Sequence, residues 1–98
     1  MAYFMYRLNP PRPTFAGDMS DDEAGAMGLH AEYWQRLLDA GRVVVFGPVA
    51  DPAGLFGMAV VEASDATEVA AMGEADPAVT AGVCTFDVLE MPATSVRG

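Results

Sequence analysis

Hydrophobic and polar positions along the chain predict four strands and two helices in the order β-α-β-β-α-β. Residues 2–8 are short and rich in aromatic side chains, and they end at Asn9-Pro10-Pro11. Because proline lacks a backbone donor and fixes φ, this segment is predicted to be a strand that stops there. Residues 9–19 hold three prolines and a glycine, which is typical of a loop.

The first helix is predicted over residues 21–40. Ser20 and Glu23 have the spacing of a capping box, and Gly41 stands where a helix commonly ends in the left-handed conformation. The apolar residues of this segment recur at helical spacing and predict one buried stripe. They are Met27, Ala31, Trp34, Leu37 and Leu38.

The remaining segments complete the pattern. The β-branched run in residues 42–46 predicts a strand ending at a Gly47-Pro48 turn, and residues 55–61 predict its hairpin partner. Asp65 and Glu68 predict the start of a second helix, which ends before Asp76-Pro77. Residues 83–91 predict the last strand, and residues 92–98 a tail.

This order predicts an α+β, ferredoxin-like fold, in which a four-stranded antiparallel sheet carries two helices on one face. The predicted strands are apolar on both faces, yet two helices cover only one. A bare apolar face is uncommon on a monomer, so we expect a homodimer formed through the open face. The alternative is a monomer whose tail folds over the sheet.

Composition narrows the classes of partner. The chain has 98 residues and 52% hydrophobic residues, which predicts a single domain over 1–98 with its core in 2–91. A formal net charge of -9 disfavours nucleic acid and anionic membranes as partners. No signal peptide or membrane-spanning run is evident, so a cytoplasmic location is expected. Cys84 is the single cysteine, so no intrachain disulfide is expected.

His30 is the only histidine and lies on the flank of the predicted helical stripe. Asp76 ends the predicted second helix, and both helices lie on the same sheet face in a ferredoxin-like fold. A carboxylate bonded to one ring nitrogen makes the other nitrogen a better base, so this pair is a candidate for proton transfer. The alternatives are a histidine at the edge of the core and an Asp-Pro pair that only ends a helix.

The remaining sequence motifs indicate no metal or cofactor site. The sequence has none of the common metal, dinucleotide or redox motifs, so no metal and no cofactor is predicted. A small-molecule pocket between helix and sheet is predicted instead, and for several of its residues core packing or a turn is the competing interpretation. Its candidate binding residues are Tyr6, Arg7, Trp34, Phe46, Gly47 and Pro48.

The segments 29–33, 38–42 and 47–49 resemble the front half of the YCII-related family, and 61–63, 74–77 and 81–83 resemble its back half. The resemblance covers residues 2 to about 91. It implies a dimeric α/β barrel of ferredoxin-like units, and a catalytic His-Asp pair that carries over onto His30 and Asp76. Two departures are Ala78, where the family often has an aromatic residue, and Met27, where it often has an arginine; they imply a wider, less cationic pocket.

From the residues and the resemblance together we expect a cofactor-independent lyase or isomerase. His30 would move a proton on a small cyclic or aromatic compound, and Asp76 would orient the ring. The alternative is a non-catalytic small-molecule-binding or accessory module that uses the same pocket. Fold similarity alone does not decide between them.

Overall fold

Four strands form one antiparallel sheet in the spatial order β2-β3-β1-β4 in the computed structural model, which describes residues 1–98. The strands are β1 (Ala2–Asn9), β2 (Val43–Val49), β3 (Phe56–Ala63) and β4 (Thr85–Glu90). Strand β1 lies in the centre, paired with β3 and β4. The predicted ferredoxin-like α+β fold is confirmed.

Two longer helices and two short ones connect these strands. The longer ones are α2 (Asp21–Asp39) and α3 (Ala66–Glu74), and the short ones are α1 (Phe15–Asp18) and α4 (Pro77–Thr80). The sequence did not predict α1 or α4, because four residues are too few to show a helical period. Asp76 therefore does not end the second helix; it lies between α3 and α4.

Helix α2 follows its sequence signals closely. Ser20 and Glu23 form the predicted capping box, and Gly41 has a φ of 79° just beyond the helix end. The stripe differs in one member: Ala31 is exposed, while Ala26 is buried in its place. The helix therefore lies rotated slightly from the predicted orientation, and His30 and Trp34 both lie on its inner side.

The predicted turn at Gly47-Pro48 is wrong, because both residues belong to β2. Strand β2 is at the edge of the sheet, where a proline costs no ladder hydrogen bond if its nitrogen points outward. The last strand also begins later than predicted, at Thr85. The backbone N–H groups of Val83 and Cys84 both donate to the Ala78 carbonyl instead of joining the sheet.

The main core lies between the helices and the inner face of the sheet, with Phe4, Tyr6 and Val61 buried on the sheet side. The outer face carries a cross-strand apolar row of Val45, Val60, Met5 and Leu89. Val45 is 48% exposed and Leu89 is 51% exposed, so the C-terminal tail does not cover this row. None of the helices is long and apolar enough to span a membrane.

Candidate functional site

His30 and Asp76 are in direct contact on the inner side of the sheet. The His30 Nδ1 atom lies 2.9 Å from Oδ2 and 3.0 Å from Oδ1 of Asp76. His30 is in the middle of α2, and 16% of its side chain is exposed. The helix thus brings the ring to the edge of the core with part of it accessible.

The Asp-Pro pair places the carboxylate. A residue before proline is restricted to extended conformations, and Asp76 has φ -63° and ψ 124°. Pro77 then starts α4, where its missing N–H is no loss, and Asp76 caps the helix by accepting from the Ala78 N–H at 2.9 Å. The side chain of Asp76 is completely buried.

Two further donors point at the same carboxylate. The Tyr6 hydroxyl donates to Oδ2 at 2.9 Å, and the Trp34 indole Nε1–H donates to Oδ2 at 2.8 Å. Asp76 therefore accepts hydrogen bonds from three side chains and one backbone amide. Since no buried side-chain polar atom of the protein lacks a partner, the cluster is fully satisfied.

The hydrogen bonds decide the charge of Asp76. Burial acts to raise the pKa of this carboxyl, but donation from His30, Trp34 and the Ala78 amide outweighs it and holds the pKa below its ordinary value. For Tyr6, burial first and then the negative charge of Asp76 raise the pKa of the phenol far above its usual range. The cluster thus contains an ionised carboxylate and a neutral phenol.

An ionised carboxylate only accepts hydrogen bonds, so the Nδ1 atom of His30 carries a proton in this contact. In the neutral ring, Nε2 is then the unprotonated nitrogen and forms no hydrogen bond within the protein. This arrangement leaves one basic nitrogen free on a ring whose orientation is fixed by Asp76.

His30 borders a small, partly open cavity of about 20 Å³, which is room for about one water molecule. Most of its lining is apolar, and the polar tips of Tyr6 and Trp34 are already bonded to Asp76. His30 therefore supplies the available polar side-chain atom. The lining residues are Tyr6, Leu8, His30, Trp34, Phe46, Gly47, Met58 and Ala59.

Four of the six predicted binding residues meet at this cavity, namely Tyr6, Trp34, Phe46 and Gly47. Pro48 is not part of its lining. Arg7 lies on the other face of the sheet, stacked 3.9 Å from the centre of the Phe56 ring, beside a separate depression of about 310 Å³. Its position in the alternating pattern of β1, one residue after the inward-facing Tyr6, indicated this outward direction.

Leu8, Met58 and Ala59 also line the cavity and are not among the residues predicted from the sequence. The alternation of β1 and β3 marks Leu8 and Ala59 as inward-facing, but the register that brings them beneath His30 follows only from strand pairing. No arginine lines the cavity, in keeping with Met27. No three His, Cys, Asp or Glu side chains lie close enough together to hold a metal ion.

Comparison with known proteins gave two findings. Among solved structures, the chain is similar to the 5-chloro-2-hydroxyhydroquinone dehydrochlorinase (TftG) of Burkholderia phenoliruptrix AC1100, in its complex with 2,5-dihydroxybenzoquinone; the TM-score is 0.65 at 20% identity over 96% of each chain. At that identity the likeness shows the fold alone. A search of curated proteins gave no match. The model of the YCII-related domain matches residues 1–92, and the chain therefore belongs to the YCII-related family.

Proposed function

We propose that the protein is a cofactor-independent lyase or isomerase in which His30 transfers a proton and Asp76 orients its ring. The observation that carries this proposal is that the two ring nitrogens of His30 have different surroundings. Its Nδ1 is held by a buried, ionised carboxylate, while its Nε2 forms no hydrogen bond within the protein and the residue lines a cavity. This is the arrangement that a general base requires at neutral pH.

The proposed step begins when the Nε2 atom of His30 accepts a proton from a C–H or O–H bond of the substrate. The electron pair of that bond forms a new double bond in the ring. In a lyase, a leaving group on the neighbouring carbon departs with its bonding electrons, and the net loss is HX. In an isomerase, the imidazolium returns the proton to a different carbon, so no co-reactant is needed.

The lining supports a small, largely apolar ring as substrate. Phe46 and Ala59 offer flat or short apolar contacts, and no charged arginine is present to hold an anionic group. The dehydrochlorinase of similar fold is named for a chlorinated hydroxyhydroquinone and was solved with a dihydroxybenzoquinone, which favours hydroxylated rings as the first class to test. A ring needs more than about 20 Å³, so Phe46, which is partly exposed, would have to move.

The test is a panel of halogenated and non-halogenated hydroxyhydroquinones and dihydroxyquinones. Halide release and deuterium incorporation from D₂O would be followed by NMR for the wild type, His30→Gln and Leu29→Gln. Leu29 lies next to His30 and is 57% exposed, so it controls for the substitution itself. We expect His30→Gln to lose about 10²–10⁴-fold in rate and Leu29→Gln to match the wild type.

The proposal fails if His30→Gln turns over the panel as fast as the wild type. Binding of panel compounds without turnover by any variant would instead favour the accessory-module alternative, in which the same lining supplies affinity alone.

We also propose that the outer apolar row pairs with the same row of a second copy. Val45, Val60, Met5 and Leu89 form a continuous line across all four strands, and a soluble monomer seldom leaves such a face bare. Light scattering should report a dimer for the wild type and for Leu29→Asp, but a monomer for Val60→Asp. A monomeric wild type at micromolar concentration would refute this proposal.

A further inference from the structure

We propose that Tyr6 and Trp34 are positioning residues that keep Asp76 ionised and thereby keep the shared proton on His30. This inference rests on the proposed function of the His30 and Asp76 pair. It assigns to the two aromatic side chains a task beyond lining the cavity.

The geometry sets these two donors apart from ordinary core polar groups. Tyr6 and Trp34 are each 1% exposed, and their rings pack with centroids 4.5 Å apart, so neither polar tip has access to water. Both tips converge on one oxygen, Oδ2 of Asp76, at 2.9 and 2.8 Å. Tyr33, which lies on α2 next to Trp34, is bonded differently, because its hydroxyl donates to the backbone carbonyl of Met72 and not to Asp76.

The neighbouring titratable groups are consistent with a negative charge on Asp76. Besides His30 and Tyr6, these groups are Tyr33 and Cys84. Burial and, to a lesser extent, the charge of Asp76 raise the pKa of Tyr33 above its ordinary value. The same two causes raise the pKa of Cys84 to about 11. Both groups therefore stay neutral at physiological pH. No arginine forms an ion pair with Asp76. Apart from His30, its charge is therefore balanced by neutral donors alone.

The consequence appears when the His30 and Asp76 pair holds two protons. With the donors of Tyr6 and Trp34 in place, the favoured form is imidazolium beside carboxylate. Without them, burial favours a neutral carboxylic acid that donates to Nδ1 of a neutral ring. In both forms Nε2 carries a proton, and they differ in whether the shared proton lies on Nδ1 of His30 or on Asp76. The two aromatic donors thus select which side chain holds the proton.

The test compares Tyr6→Phe, Trp34→Phe and the double variant with the wild type. Tyr33→Phe is the control, since it removes a tyrosine hydroxyl that does not contact Asp76. The carboxyl carbon of Asp76 is followed by NMR in protein labelled with ¹³C-aspartate and assigned by its absence in Asp76→Asn. Ring nitrogens of His30, the only histidine, are followed in protein labelled with ¹⁵N-histidine.

A hydrogen bond to a charged group corresponds to about a ten- to hundredfold change in equilibrium constant. We therefore expect each single variant to favour protonation of Asp76 by about that factor, and the double variant to show an unprotonated Nδ1 in its acid form. In Tyr33→Phe, Asp76 should titrate as it does in the wild type. Urea unfolding of the same samples checks that each variant is folded.

Identical Asp76 titration in the wild type and in both folded single variants would overturn the inference. The experiment uses no substrate, so it is independent of turnover. Shifted titration together with an inactive wild type would leave the positioning role in place and refute only the proposed catalysis.

Discussion

Gly73 in α3 lies against the stacked rings of Tyr6 and Phe86, and its replacement by alanine is a direct test of how tightly the core beside Asp76 is packed. A Cβ atom at this position would come within 2.6 Å of the Phe86 ring and 2.7 Å of the Tyr6 ring. Both distances are far below ordinary van der Waals contact. Either the rings or α3 must move, and a displaced Tyr6 lengthens its 2.9 Å hydrogen bond to Asp76.

The expected cost of Gly73→Ala combines three terms. Overpacking a core costs about 1–3 kcal/mol, and weakening a hydrogen bond to a charged group costs up to about 1.5–3 kcal/mol. The higher helix propensity of alanine offsets about 1 kcal/mol of this loss in stability. We therefore expect a loss of about 2–4 kcal/mol, which lowers Tm by about 10–25 °C for a domain of this size.

Gly28→Ala provides the matched control. Gly28 lies in the middle of α2, and an added Cβ would meet nothing within 4 Å. The same substitution there should raise Tm by several degrees. Thermal and urea unfolding would be followed by the fluorescence of Trp34, the only tryptophan, which lies next to Tyr6. A Gly73→Ala protein as stable as Gly28→Ala would refute the close packing described for α3.

Three further predictions concern single residues. The pKa of Asp76 in the folded protein is held below its ordinary value. The ionised carboxylate therefore stabilises the fold above the usual carboxyl pKa of about 3.9, and this stabilisation is lost as the pH falls through the pKa of the folded state. Urea unfolding of Asp76→Asn should lack this part of the pH dependence. Cys84 is 5% exposed with a pKa raised to about 11, so thiol reagents at pH 8 should modify only unfolded protein. Ser20→Ala removes the α2 cap and should cost about 1 kcal/mol in urea unfolding.

Most of the fold could be predicted from the sequence because its signals are local. Alternation in β1, the capping box at Ser20 and Glu23, and the glycine after α2 each depend on a few neighbouring residues. Predictions failed where a residue's position in the sheet decides its role. Pro48 is compatible with a strand only because β2 is at the edge, which no local pattern reveals.

The candidate site was only partly predictable for the same reason. His30 and Asp76 were singled out by residue type and by a family resemblance, but the donors around Asp76 come from distant positions. Tyr6 is 70 residues from Asp76 in sequence, and Trp34 is 42 residues from it. One sequence signal did exist: a tyrosine and a tryptophan at predicted core positions each need a buried hydrogen-bond partner, and a buried carboxylate is the strongest acceptor available.

The central claim is that Asp76 fixes the proton of His30 on Nδ1 and leaves Nε2 free. The most direct measurement is the ¹⁵N spectrum of the single histidine ring, recorded at a pH where the ring is neutral, for the wild type and Asp76→Asn. We predict a ring protonated at Nδ1 in the wild type. In Asp76→Asn, whose amide can donate to Nδ1, we predict a shift toward the form protonated at Nε2. A wild-type ring protonated at Nε2, or identical spectra for the two proteins, would contradict the account.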